Sequence, residues 1–209
     1  EPVCSVYKRC GGCQLQHISY EGQLNFKKER VSDSLERIGK LNIKDIKLHD
    51  TIGMKHPYRY RNKAQLPVGK NNGQLNIGFY ARRTHDIIDM DCCRIQNETA
   101  DQAVKLLRNW IVSYNISCYD EVSKKGNIRH IVVRKAFSTG EVMVIIVTSS
   151  ADIPHKDELI KSMCDNIDGL KSIIQNINSS KGNVILGKRN VTLWGKDTIN
   201  DYIGNFKFS

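Results

Sequence analysis

Three cysteines near the start of the sequence stand close enough together to form a metal site. Cys4, Cys10 and Cys13 have five and two residues between them, and two glycines fill the shorter gap. Thiolates bind zinc and iron–sulfur clusters, and the glycines allow a tight turn that aims Cys10 and Cys13 at one centre. The spacing therefore predicts three ligands of a metal centre, with the intervening amides pointing toward the sulfurs.

A fourth thiolate must come from further along the sequence. The seven cysteines are an odd number, which does not favour a disulfide scaffold. Cys92 and Cys93 follow a predicted strand, whereas Cys118 and Cys164 have apolar neighbours and are expected to be buried thiols. One of the adjacent pair is the better candidate. The uneven spacing of the first three cysteines favours an iron–sulfur cluster over zinc, which usually takes two C-x-x-C pairs.

The charge of the sequence indicates a polyanionic partner. Lys and Arg outnumber Asp and Glu by 32 to 22 in 209 residues, which gives a net charge of +10. Such a field favours nucleic acid over acidic proteins or neutral metabolites. No apolar run approaches the roughly 20 residues that cross a bilayer, so we expect no membrane partner and a cytoplasmic location.

Hydrophobic periodicity predicts an α+β fold with a mostly antiparallel sheet. Thr99 and Gln102 predict a capping box at the start of the second helix. In chain order the predicted elements are a helix over 20–38, a hairpin turning at 70–73, a third strand through Ile87 and Ile88, a helix over 99–116, strands over 128–136 and 142–148, a helix from Pro154, a strand over 173–177 and a hairpin over 184–194. This order matches a ferredoxin-like βαββαβ layer, preceded by the cysteine-rich loop and its helix.

Basic residues recur on the predicted strands and their turns. In a strand over 59–68, alternation places Arg59, Arg61 and Lys63 on one face. We expect this face to bind RNA, although a solvated strand face is the ordinary alternative. The predicted RNA-binding residues are Arg59, Arg61, Lys63, Arg82, Arg83, Arg129 and Arg134. His130 could contact RNA, but a lone histidine in a strand is more often structural, and we expect that role.

Several stretches carry a resemblance to a known family. The run from Cys4 to His17 resembles the cluster motif of the RNA (uracil-5-)-methyltransferases that hold a 4Fe–4S centre, the group of the bacterial 23S rRNA 5-methyluridine enzymes. The cysteine block is the most specific part, and the resemblance spans nearly the whole sequence. Further blocks that resemble the family are 60–65, 78–80, 93–96, 129–134 and 194–197.

The resemblance implies a complete ligand set. In that family the fourth cluster cysteine is followed by a Cys-x-Ile-Gln-like run, which matches Cys93 and leaves Cys92 as its neighbour. The implied ligands of the 4Fe–4S cluster are Cys4, Cys10, Cys13 and Cys93. A cluster with four protein ligands has no open position, so we predict a structural role rather than a redox or catalytic one.

The resemblance also implies an activity that this sequence does not carry alone. The family transfers a methyl group from S-adenosylmethionine to C5 of a uridine in structured RNA, and we expect 23S rRNA. No glycine-rich cofactor turn and no matching nucleophile motif occur here, so we expect no catalytic residue in this sequence. We expect a monomeric fragment with a cluster loop and helix over 1–50 and an RNA-recognition domain over 51–209. The S-adenosylmethionine domain would follow it in the parent protein, and we expect the β-barrel RNA-binding module that often precedes the cysteines in this family to be missing from this piece.

Two other functions remain open at this point. A ferredoxin-type electron carrier usually keeps its four cysteines close in sequence and its surface acidic, unlike this sequence. A zinc-stabilised RNA-binding module without an enzymatic parent is the other alternative. Iron and sulfide analysis separates zinc from the two iron–sulfur alternatives.

Overall fold

The computed structural model describes residues 1–71 and 73–209, and it begins with a loop followed by one long helix. Helix α1 spans Tyr20–Asp33 and continues into a π-helical turn, Ser34–Ile38, so the predicted helix over 20–38 is confirmed. The side chain of Ser19 begins α1 by accepting a hydrogen bond from the Gly22 amide at 3.1 Å. A 3₁₀ turn follows at Ile43–Asp45. None of the residues in α1 is buried.

A seven-stranded sheet forms the centre of the molecule, with strand order β3-β2-β1-β4-β5-β6-β7. Strands β5 and β6 pair in parallel, and the other described neighbours pair antiparallel. The strands are β1 (Lys63–Asn71), β2 (Gln74–Tyr80), β3 (Ile87–Asp89), β4 (Ile128–Lys135), β5 (Val142–Thr148), β6 (Leu170–Ile177) and β7 (Arg189–Gly195), and a separate pair is formed by β8 (Asp201–Ile203) and β9 (Phe206–Phe208).

Two helices, α2 (Glu98–Ser113) and α3 (Lys156–Asn166), belong to the main hydrophobic core on one face of the sheet. Leu107, Leu159 and Met163 are almost fully buried in this core, together with Ile131 and Ile146. Burying one such side chain stabilises the fold by about 1.5–3 kcal/mol. These helices therefore anchor the central strands that carry the basic residues.

The opposite face of β4 and β5 is also apolar and buried. Val132, Met143, Ile145 and Val147 form a second cluster there with Ile174 of β6. All seven residues of β5 are buried. The predicted hairpin of β4 and β5 is confirmed, as is the prediction that the second strand is covered on both faces.

The predicted ferredoxin-like layer differs from the observed sheet. In a split βαβ unit another strand separates the two parallel strands, whereas β5 and β6 are neighbours here. Periodicity gives the type and order of elements but not which strands become neighbours. The α+β class and the mostly antiparallel sheet are confirmed.

Three local predictions are also corrected by the structure. Strand β1 begins at Lys63 rather than at residue 59, because Arg59 has a left-handed backbone with φ of 58°. The side chain of Asn97, not a Thr99 capping box, accepts from the amide of Ala100 at the start of α2. No hairpin forms over 184–194, where β7 pairs with β6 instead. The predicted turn over 70–73 includes Asn72, which lies outside the described residues.

No helix in the described part of the chain is both long enough and apolar enough to cross a membrane.

Candidate functional site

Four cysteines from distant parts of the sequence line one cavity. They are Cys4, Cys10, Cys13 and Cys93, and their neighbours in the wall include Phe79, Met90 and Ile95. Cys10 and Cys93 are buried, the other two are partly buried, and all four are free thiols. The cavity therefore lies between the N-terminal loop and the segment that connects β3 to α2.

Short glycine contacts hold the N-terminal loop against β2. The amide of Gly11 donates to the carbonyl of Tyr80 at 3.1 Å. A Cβ atom on Gly11 would lie 3.0 Å from that carbonyl oxygen, so a larger residue would push the loop away. The amide of Gly12 donates to Sγ of Cys10 at 3.3 Å, which confirms that a glycine amide points toward a sulfur.

Further donors point at the sulfurs of the other cysteines. The side-chain amide of Gln16 donates to Sγ of Cys13 at 3.2 Å. The backbone amides of Ile95 and Gln96 donate to Cys93 and favour its thiolate. Hydrogen bonds of this kind orient thiolate ligands and stabilise their charge.

Burial is the largest influence on the thiols at this cavity. Desolvation raises the pKa of Cys10, Cys13 and Cys93 above the ordinary value, although the hydrogen bonds from the nearby amides lower it in part. Thiols with raised pKa values are protonated at neutral pH in the absence of a metal. Metal binding at these residues would therefore release protons.

The described residues show no site for a single metal ion at the cysteines, and a cluster there stays a prediction. In residues 1–71 and 73–209, no three His, Cys, Asp or Glu side chains are arranged to hold a metal ion. A single zinc ion needs its thiolates within about 2.3 Å of one point. A 4Fe–4S cluster lies between four thiolates that stand further apart, so four thiols around one cavity are an appropriate donor set.

Arg59 is part of the support for Cys93, rather than a residue of an open basic face. Its guanidinium donates to the carbonyl oxygens of Cys93 at 2.7 Å and Gln96 at 3.2 Å, and to Oδ2 of Asp101 at 2.5 Å. The other carboxylate oxygen of Asp101 accepts from the amide of Cys93 at 3.0 Å. Sequence analysis missed Asp101, because no local pattern links it to a cysteine eight positions earlier.

Two predicted RNA-binding residues lie beside the cysteine cavity. Arg61 is exposed and lines both this cavity and a neighbouring groove whose walls include Tyr58 and Tyr60. Arg82 is exposed and donates to the carbonyl of Cys13 at 3.1 Å. Arg83 follows it in the loop after β2, where it is exposed with a positive φ of 60°.

Two other predicted residues lie directly opposite each other. Lys63 of β1 and Arg134 of β4 are register partners and both are exposed. Within the described residues, neither forms a salt bridge. Like charges opposite each other in a sheet repel, so this pair favours an anion placed between them.

Arg129 is the predicted residue that the structure removes from the surface. It is 5% exposed, its guanidinium lies 4.3 Å from the centre of the Tyr119 ring, and it donates to the carbonyl of Asn178 at 2.8 Å. A side chain held in this way does not contribute to an exposed basic face.

An aromatic groove adjoins the cysteine cavity. It has a volume of about 810 Å³, and its walls include Tyr58, Tyr60, Arg61 and Cys13. The two tyrosines are 47% and 44% exposed. Exposed aromatic rings next to a guanidinium can stack on unpaired bases.

Comparisons with known proteins find relatives of this chain in sequence and in structure. The chain is 55% identical over its full length to a protein of Clostridium tetani named "Uncharacterized RNA methyltransferase", and 49% identical to one of Listeria monocytogenes with the same description. It spans 45% of the length of each. No model of a protein family matches the chain.

A solved structure shares the fold. The tRNA (uracil-54, C5)-methyltransferase of Pyrococcus abyssi, crystallised with S-adenosyl-L-homocysteine, superposes with a TM-score of 0.72 over 96% of this chain and 44% of that chain, at 28% identity. The chain is thus similar in sequence to proteins named as RNA methyltransferases, and in sequence and structure to about half of a tRNA uracil-C5 methyltransferase.

Proposed function

We propose that this chain is the cluster-binding and RNA-binding part of an S-adenosylmethionine-dependent RNA (uracil-C5)-methyltransferase. The observation that carries the proposal is that Cys4, Cys10, Cys13 and Cys93 line one cavity. The similarity to RNA methyltransferases supports the activity of the whole protein, and S-adenosylmethionine would bind outside the residues of this chain.

The four cysteines would hold a 4Fe–4S cluster with a structural role. The cluster would link two segments that are distant in sequence, because its ligands Cys13 and Cys93 lie 80 positions apart. The N–H donors from Gly12, Gln16 and Ile95 are positioned to stabilise the thiolate charge. With all four positions filled by the protein, the cluster would fasten the N-terminal loop to the sheet.

Structured RNA is the proposed partner of the exposed basic residues. Arg61 and Arg82 lie beside the cysteine cavity, and Lys63 and Arg134 face each other on β1 and β4. The groove with Tyr58 and Tyr60 would accept unpaired bases next to this charge. We propose 23S rRNA as the substrate, because the cysteine block resembles that of the 23S rRNA enzymes. We also propose that the whole enzyme is monomeric and cytoplasmic.

Three measurements test this function. Protein purified without oxygen is expected to contain iron and acid-labile sulfide, and colourless zinc-loaded protein would contradict the cluster. The whole protein is expected to transfer methyl groups from S-adenosylmethionine to uridine C5 in 23S rRNA transcripts. Transfer to tRNA transcripts alone would overturn the ribosomal substrate, and transfer to neither would overturn the activity.

Neutralising the opposed cations tests the RNA-binding surface. In the variant Lys63→Gln/Arg134→Gln, we expect RNA affinity to fall roughly tenfold and the slope of log K against log salt to fall by about 2, one for each phosphate contact. Because like-charge repulsion is removed, stability should stay constant or rise by up to about 1 kcal/mol. Filter binding at several salt concentrations and thermal unfolding measure these effects.

The matched control is Lys105→Gln, which removes an exposed charge from α2 on the other side of the sheet. This variant should keep the RNA affinity and the salt slope of the unmodified protein. Because the control removes one charge and the double variant two, a control loss half as large as that of the double variant would show that only the net charge matters.

A further inference from the structure

A second cavity lies beside the start of β4, away from the cysteines. It has a volume of about 310 Å³, at the lower end of the range for small-molecule pockets. A smaller cavity of about 70 Å³ shares part of its wall. None of the residues that line the cysteine cavity lines either one. The residues common to both walls are Tyr80, His85, Glu121, Arg129 and His130.

The wall of this cavity contains buried polar atoms without partners. His130 is only 5% exposed, and in the described residues neither of its ring nitrogens has a hydrogen-bond partner. Nε of Arg129 is buried without a partner as well. Leaving a buried polar atom unpaired is unfavourable, so such atoms in a cavity wall indicate that another molecule completes their hydrogen bonds.

The charges around His130 nearly balance. The guanidinium of Arg129 is held by backbone carbonyls and by the Tyr119 ring. Across the cavity, the carboxylate of Glu121 accepts from Nδ1 of His85 at 2.9 Å and from the hydroxyl of Tyr80 at 3.4 Å. The wall of the larger cavity also contains Lys70, Asp86 and Asp120, so cations and anions are mixed around it. This mixture disfavours both a phosphate and a metal ion as the occupant.

His130, in the wall of this cavity, has one unpaired donor and one unpaired acceptor among the described residues. Burial and the nearby Arg129 lower the pKa of His130 to about 4, so its imidazole is neutral at pH 7. A neutral imidazole donates from one nitrogen and accepts at the other. Together with the unpaired N–H of Arg129 and the carboxylate of Glu121, His130 makes a set of two donors and two acceptors for a small planar molecule.

We propose that this cavity binds one nucleobase of the RNA, unstacked from its neighbours. The proposal rests on the proposed function and adds a base-recognition site to it. A nucleobase is neutral and planar and carries donors and acceptors along its edge, which match His130, Arg129 and Glu121. The exposed Lys70 lines the same cavity and is available to the adjoining phosphate.

The test is a titration of the protein with adenosine, guanosine, cytidine and uridine, followed through the ring signals of His130 by NMR. We expect at least one nucleoside to shift these signals saturably. His130→Phe should abolish that binding, and His130→Gln should retain part of it because an amide also donates and accepts. His49→Phe, at an exposed position outside the cavity, is the control and should bind the nucleoside normally.

Binding to RNA gives a second readout that separates this site from the basic surface. His130→Phe should weaken RNA binding roughly tenfold without changing the salt slope, since loss of a base contact removes no phosphate contact. His130 signals that stay unshifted with all four nucleosides would overturn the base site even if the unmodified protein binds RNA. Water alone would then occupy the cavity. Failure of the unmodified protein to bind RNA would instead overturn the proposed function.

Circular dichroism and thermal unfolding establish that both His130 variants are folded. If His130→Phe does not fold, His130→Gln decides the question. Nucleoside and RNA affinities in a folded His130→Gln equal to those of the unmodified protein would contradict the proposal.

Discussion

Replacing Cys93 by serine is expected to remove iron and sulfide from the protein and to lower its free energy of unfolding by about 4.5 kcal/mol. The magnitude follows from loop closure, because a link between Cys13 and Cys93 closes a loop of about 80 residues and restricts the unfolded chain in the way a disulfide does. Iron and sulfide analysis after purification without oxygen, together with urea unfolding, measures both effects.

The adjacent cysteine provides the matched control. Cys92 is exposed and does not line the cysteine cavity. Cys92→Ser should therefore keep its iron and change the free energy of unfolding by no more than about 0.5 kcal/mol. Iron retained in Cys93→Ser, or lost in Cys92→Ser alone, would show that the ligand set is wrong.

The sequence predicts the positions of the cysteines better than it predicts the positions of the basic residues. Spacing grouped Cys4, Cys10 and Cys13, the family resemblance added Cys93, and the structure places all four around one cavity. Binding of a cluster stays a prediction. The positions of the cysteines could be predicted because the ligands of one metal centre must come together in the fold, whichever strands separate them in the sequence.

Basic residues carry no such requirement, and alternation alone does not tell which of them reach solvent. Alternation placed Arg59 on the same face as Lys63, but the positive φ of Arg59 ends the strand pattern and turns its guanidinium inward. Arg129 lies in a strand as expected, yet it is buried because β4 is central and covered on both faces. The positions of these two arginine side chains depend on tertiary contacts, which the sequence does not encode locally.

For His130, too, the sequence does not predict the surroundings of the side chain, although here the structure adds a candidate functional residue instead of removing one. A lone histidine in a strand predicts a structural residue with satisfied nitrogens. In the structure both ring nitrogens are buried without partners, because the neighbouring segments leave a cavity there. Only tertiary structure brings Glu121, Arg129 and His130 to one wall.

Arg59 and Arg61 form a pair of neighbouring arginines with contrasting expected roles. Arg59→Met should lower the free energy of unfolding by about 2–3 kcal/mol, somewhat less than for a fully buried ion pair because solvent reaches the site. The side chains of Arg59 and Asp101 are 27% and 20% exposed. The salt slope of RNA binding should stay constant in this variant. Arg61→Met should do the reverse, with a slope reduced by about 1 and little change in stability.

A double variant shows whether Arg59 acts through Asp101. Losing Arg59 leaves the carboxylate of Asp101 partly buried without its cation, so Arg59→Met/Asp101→Leu should recover part of the lost stability. The recovery should be incomplete, because Asp101→Leu also leaves the amide of Cys93 without its acceptor. Urea unfolding and RNA binding at several salt concentrations distinguish the roles. A stable Arg59→Met with a reduced salt slope would return Arg59 to the RNA-binding surface.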